Sequence, residues 1–165
     1  MESKLPIEIR PFSPVYEKQV IDLIVAIQWK EFDIPITADD QPDLKIIPEY
    51  YQKGNGNFWV ALHNDKVVGT VSLLDIGGNL VALRKMFVNR DYRGREIGTA
   101  QKLLEISLDW AITHGIRKIY LGTTPQFLAA HRFYEKNGFK EISKRDLPET
   151  FPIMKVDTKF YKYVF

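Results

Sequence analysis

The chain has 165 residues, the usual size of one domain, which predicts a single core and leaves no room for a second catalytic domain. Hydrophobic residues make up 45% and charged residues 27%, which excludes a disordered, collagenous or coiled-coil chain. A net charge of +2 gives no general argument for a polyanionic partner, and the absence of cysteine excludes disulfides, thiolate metal sites and a cysteine nucleophile. Met1 to Pro6 lack the apolar run of a signal peptide, and nowhere do about 18 apolar residues follow one another as a membrane span requires. A cytoplasmic location, with no membrane partner, is the expectation.

Residues 7–12 alternate apolar and polar, as a half-buried strand does, and Ser13-Pro14 supplies an N-cap and a proline suited to the first helical position. Val20, Leu23, Ile24 and Ile27 recur at helical spacing, and this pattern fades between Trp29 and Phe32. Pro35, Pro42 and Pro48 break the following segment, which has room for a short helix at 47–52. Residues 58–62 read as a strand, Asn64-Asp65 as a tight turn and 67–76 as the antiparallel partner. Gly77-Gly78-Asn79 leads into a third strand at 80–88. A long helix at 95–114, a buried strand at 118–121, a helix at 126–137 closed by Gly138, and strands at 139–142 and 159–164 complete the order. In the long helix, Ile97, Ala100, Leu103, Leu104, Leu108, Ala111 and Ile112 form the stripe expected to face the core. The fold class is therefore α+β: a mixed, mostly antiparallel twisted sheet with flanking helices, parallel where the long helix crosses over.

The segment 88–100, VNRDYRGREIGTA, joins a strand to the long helix. Backbone N–H groups at a helix N-terminus favour an anion, Gly94 and Gly98 permit close backbone approach, and Arg93 and Arg95 can add charge-assisted bonds to phosphate. Between Arg84 and Arg95 stand five basic residues and one acidic residue, so the basic surplus is local. The same residues are also compatible with an ordinary solvated turn. The segment has neither the Gly-Lys-Ser/Thr ending of a P-loop nor the dinucleotide fingerprint, which disfavours an ATPase or a nicotinamide oxidoreductase.

Arg95-Glu96-Ile97-Gly98-Thr99-Ala100, preceded by Tyr92-Arg93-Gly94, resembles the Gln/Arg-x-x-Gly-x-Gly/Ala signature of the GNAT superfamily of N-acetyltransferases. The run from Ala130 to Phe139, AHRFYEKNGF, is similar to that superfamily's second hallmark, and the element order matches its fold over 7–165. The resemblance implies a sheet splayed between its fourth and fifth strands, with acetyl-CoA as cosubstrate in the opening. Met86, Phe87 and Val88 would hold the pantetheine by their backbone, and Arg93, Gly94, Arg95, Glu96, Ile97, Gly98, Thr99 and Ala100 the pyrophosphate. It also implies direct transfer to a primary amine, with the Tyr134 hydroxyl near the sulfur; read from the residues alone, Tyr134 is equally a packed aromatic. Glu96 stands where many members carry glycine, and Phe127 where many carry an asparagine that Thr123 or Thr124 can replace. No glutamate stands at Val81 or Ala82, which leaves the general base unnamed.

The segment 28–51 contains six acidic residues against two lysines and is rich in aromatics. Trp29, Glu31, Asp33 and Tyr50 are the candidate acceptor-binding residues on its acidic, aromatic side, which suits a cationic amine of a small molecule or peptide. Such acids on a proline-rich loop are equally explained by solvation. His63, His114 and His131 lack ligand spacing, so no metal is expected. The alternative to an enzyme is a catalytically silent CoA-binding module. A nucleic-acid partner is disfavoured by the small net charge, and a homodimer is compatible with the sequence.

Overall fold

The computed structural model describes residues 6–165, so the expectation drawn from the first six residues lies outside the described residues for all but Pro6. Seven strands form one sheet: β1 (Glu8–Pro11), β2 (Asn57–His63), β3 (Lys66–Asp75), β4 (Leu80–Val88), β5 (Lys118–Thr123), β6 (Lys140–Ile142) and β7 (Lys159–Val164). Their spatial order is β1-β2-β3-β4-β5-β7-β6, and every pairing is antiparallel except β4 with β5. Four α-helices accompany them: α1 (Glu17–Val25), α2 (Ile47–Tyr50), α3 (Thr99–Thr113) and α4 (Leu128–Lys136). The α+β mixed sheet expected from the element order is the one observed.

Strand alternation divides the core between the two faces of the sheet. Trp59, Ala61, Val81, Leu83, Ile119 and Leu121 pack with Leu103, Leu104 and Ala111 of α3 and Tyr134 of α4. Phe58, Val60, Leu62, Ala82 and Tyr120 point the other way, toward Val20 and Ile24 of α1 and Ile47 of α2. The tight turn falls where expected, Asn64 and Asp65 both adopting positive φ as a two-residue hairpin requires.

Two helix readings change. The long helix begins at Thr99 rather than 95, because Gly98 sits at φ +74 and residues 95–97 form a separate turn before it. Its buried stripe runs through Leu103, Leu104, Ser107 and Ala111, while Ile112, expected in the core, is 63% exposed. Ser107 occupies an inward position with its hydroxyl satisfied by the Leu104 carbonyl at 2.7 Å. The first helix also continues past Val25 as a π-helical turn over Ala26–Glu31, where the sequence pattern had faded.

Two features of β4 shape the site. Only Leu80, Val81 and Ala82 pair with β5, opposite Lys118, Ile119 and Tyr120; beyond them the two parallel strands separate. At the β3–β4 pairing the register shifts between Thr70 and Ser72, so Lys85 and Met86 together oppose Val71 and Lys85 takes φ +58. The Thr70 and Ser72 hydroxyls donate to the Lys85 and Arg84 carbonyls at 2.6 and 2.7 Å, satisfying groups around the bulge.

Candidate active site

The separation of β4 and β5 opens a cleft of about 1060 Å³. Met86, Phe87 and Val88 border it from β4, and Arg93, Gly94, Arg95, Glu96, Ile97 and Gly98 from the loop; Ala100 adds the first turn of α3 and Tyr134 the α4 side. Thr99 is the exception among the candidate cofactor residues, because its side chain is fully buried behind the loop.

The loop is shaped to receive an anion. A Cβ at Gly94 would meet no atom within 4 Å, and one at Gly98 only the Arg95 carbonyl at 3.8 Å, so the backbone is open to close approach. The Gly98 N–H donates to the Gly94 carbonyl and the Lys102 N–H to the Gly98 carbonyl. The amides of Arg95, Glu96, Ile97, Thr99, Ala100 and Gln101 find no protein acceptor among the described residues. Partnerless donors thus cluster at the positive end of a 15-residue helix, an arrangement whose electrostatics favour an anion. The Thr124 hydroxyl, buried and without a partner, adds a second unfilled polar position at the other side of the cleft. These features fit the diphosphate and amide-bearing arm of acetyl-CoA.

The arginines divide their work. Arg93 donates to both carboxylate oxygens of Glu31, the Nη2–Oε1 distance being 2.7 Å, and to the Val88 carbonyl from Nε at 2.8 Å. Its donors are spent on holding the loop to the 26–31 turn, whereas exposed Arg95 pairs with no carboxylate among the described residues. Glu96 borders the cleft without pairing to either arginine.

The acceptor side differs most from the sequence expectation. Trp29, Glu31, Asp33 and Tyr50 do not border the cleft; the segment contributes Gln28, Phe32, Ile34 and Ile36, which with Ile27 just before it form an essentially apolar wall. Four of its six acids are engaged elsewhere. Glu31 binds Arg93, Asp39 pairs with Lys45 at 3.3 Å, and Asp40 accepts from the Thr37 amide and hydroxyl at 3.0 and 3.1 Å. Buried Asp43 accepts from the Tyr51 hydroxyl at 2.6 Å and lies 3.6 Å from Lys85. Phe127 borders the cleft edge-to-face with Phe32 and Phe87, making the wall opposite β4 aromatic.

Residues that sequence reasoning missed supply the polar chemistry. Asp157, on the loop before β7, borders the cleft beside Gly122. Burial pushes its carboxyl up to about 6, against the opposing pull of the Met154 backbone and of the Arg84 and Lys85 charges. Lys85, buried at the bulge, donates to Gln41 at 2.7 Å; burial lowers its ammonium to about 8, with Asp43 opposing that shift. Tyr134 is held above its ordinary value by burial first and the Asp157 charge second, so its phenol stays protonated. Among the described residues, no group of three or more His, Asp or Glu side chains is placed to hold a metal ion. Buried His131 has a structural contact, its Nε2 lying 2.9 Å from the Thr124 carbonyl.

An open mixed sheet splayed over an anion-binding loop defines a CoA-type acyltransferase architecture. The profile of the Acetyltransferase (GNAT) family matches residues 21–139, and the chain belongs to that family. A GNAT-family acetyltransferase from Staphylococcus aureus Mu50 superposes with a TM-score of 0.93 at 40% identity, covering 96% of this chain and 99% of that one. N-acetylaspartate synthetase of Xenopus tropicalis is 41% identical over 102 residues, 61% of this chain, but the match spans only 37% of that protein. An N-acetyltransferase of Thermoplasma acidophilum, solved with coenzyme A, shares the fold alone at 17% identity and a TM-score of 0.73, with 97% and 99% of the two chains covered. No helix among the described residues is long and apolar enough to cross a membrane.

Proposed function

We propose that this protein transfers the acetyl group of acetyl-CoA directly to the primary amine of a small molecule. The observation that carries the reading is the continuity of the cleft: the unpartnered amides at the start of α3, the free edge of β4 and the Tyr134 hydroxyl border one opening. The pyrophosphate would rest on the amides from Arg95 to Gln101, and the pantetheine amides would pair with β4 at Met86 to Val88 as an added strand. Thr124 offers a further hydroxyl to that arm. Bound acetyl-CoA supplies an activated acetyl thioester. The acetyltransferase name of the Staphylococcus aureus relative supports the reaction type.

The remaining chemistry falls to this chain's own side chains. As the amine nitrogen bonds to the acetyl carbon its proton becomes acidic, and Asp157, ionised above about pH 6, accepts it. Tyr134 keeps its proton at neutral pH and holds it toward the departing sulfur. The apolar wall of Ile34, Ile36, Phe32 and Phe127 excludes water, which would otherwise compete for the acetyl group.

Incubation with acetyl-CoA and a panel of primary amines, with free thiol followed over time, tests the reading. Saturable thiol release that requires the amine, with the N-acetylated amine as product, is expected. CoA binding without release on any amine would instead favour the silent binding module.

A further inference from the structure

We infer, building on the transferase reading, that the accepted amine also carries a carboxylate and that Arg84 receives it. Arg84 lies on β4 beside the bulge and borders the cleft, half-buried. Its protein partners are neutral: Nη1 lies 3.3 Å from the Tyr50 hydroxyl and Nη2 3.1 Å from the Met154 sulfur. The Tyr50 and Tyr51 rings flank it, each centroid 5.9 Å from Cζ. No carboxylate lies within salt-bridge distance of it among the described residues. A thioether is a weak acceptor, so most of the guanidinium's donor capacity has no strong protein partner.

Neighbouring cations throw this into relief. Arg93 is bound by both oxygens of Glu31, and Lys85 is held by Gln41 with Asp43 close by. Among the described residues Arg84 alone of the three makes no ion pair: the charges of Asp43 and Asp157 act on it only from beyond salt-bridge distance, and a cation withdrawn from water is costly until a direct partner arrives. A ligand carboxylate would meet its planar fork in bidentate geometry. The charge of the whole cleft agrees, six basic side chains against the acids Glu96 and Asp157. Arg84 touches Met154, and Asp157 lies three residues further along the same loop, its N–H bonded to the Met154 carbonyl. One short segment thus places an acid for the amine and a cation for the carboxylate, the arrangement an amino acid requires. Ile34, Ile36 and Phe151 leave an apolar surface for its side chain.

Calorimetric titration of the CoA-loaded protein with N-acetylglycine, N-acetyl-L-leucine and N-acetyl-L-phenylalanine, each against its neutral amide, reads this subsite without turnover. The acids should bind at least about tenfold more tightly than the amides, the range of a charged hydrogen bond. Arg84→Gln should bring the pairs close to parity and Arg84→Lys should lie between, with CoA affinity retained. Equal binding of acid and amide by the parent protein, or a preference that survives in Arg84→Gln, overturns the inference. If circular dichroism shows Arg84→Gln unfolded, the parent comparison and Arg84→Lys decide. Thiol release with amino acids against their decarboxylated amines separates the two readings. Acid-selective binding with no release on any amine leaves the subsite standing and sinks the transferase. Faster release with amines lacking the carboxylate does the reverse.

Discussion

The loop 93–100 and the segment 28–51 face the same cleft, yet they relate to sequence in opposite ways. In the loop, the groups proposed to hold the cofactor are backbone amides and two glycines close together in the chain, so a local pattern carries them. In the segment, charge counted along the chain misleads, because Glu31, Asp39, Asp40 and Asp43 close internal contacts and, apart from Gln28, the side chains it turns to the cleft are apolar. A backbone site is a property of a short stretch; a side-chain site is a property of what the fold brings together.

The comparison breaks most visibly at Asp157, the acid that the acceptor side draws from far along the chain. Asp157→Asn should lower kcat by about 10²- to 10⁴-fold, the usual contribution of a general base, with acetyl-CoA affinity retained. In the parent enzyme the rate should rise as pH climbs through about 6, as the carboxylate forms, and this limb should vanish in the variant. Stability should move the other way. A carboxyl at about 6 when folded against an ordinary 3.8 favours the folded state while protonated; that contribution is present below the unfolded value and lost as pH rises toward 6. Thermal unfolding between those limits should therefore fall with pH in the parent and flatten in Asp157→Asn.

Tyr134→Phe removes only the hydroxyl from a ring packed against Phe133, Phe139 and Tyr161. We expect kcat to fall about 10²-fold, since a thiolate is already a fair leaving group, while stability is unchanged. An unaltered kcat would reduce Tyr134 to packing.

Gly98→Val sharpens the loop side. A β-branched residue at φ +74 is strained, and relieving it reorients the first turn of α3 together with its free amides. Acetyl-CoA affinity should fall about 10- to 100-fold by calorimetry, and the ratio of acceptor rates should stay as it was. The smallest effect is expected from neutralising Asp33, Asp39 and Asp40 together: less than about twofold in kcat/KM for cationic and neutral amines alike, since none of the three borders the cleft. A selective loss for cationic acceptors would restore the acidic wall read from composition.

The apolar strand run Phe58 to Leu62, the tight turn at Asn64 and Asp65, and the Gly94/Gly98 spacing were legible because each is a local rule of backbone or burial. The parallel pairing of β4 with β5 was legible from the long helix that crosses over between them, whereas the insertion of β7 between β5 and β6 was not read from the sequence. Ile112 was misread because Ala111 holds the inward position at that turn, and the next residue lies about 100° further round the helix. Arg84 and Asp157 were not legible as partners, since only the folding of the loop before β7 onto the open edge of β4 brings them to one cleft. Arg93 looked like a phosphate ligand because its neighbours are glycines; its partner Glu31 lies 62 residues away.

The central claim is that the parting of β4 and β5 holds acetyl-CoA with its pyrophosphate on the first amides of α3. Backbone amide NMR during titration with CoA tests it directly. The largest shifts should fall at Glu96, Ile97, Thr99 and Ala100, with a second group at Met86 to Val88. Saturable CoA binding that leaves those amides unmoved, with shifts gathered elsewhere on the surface, would contradict it.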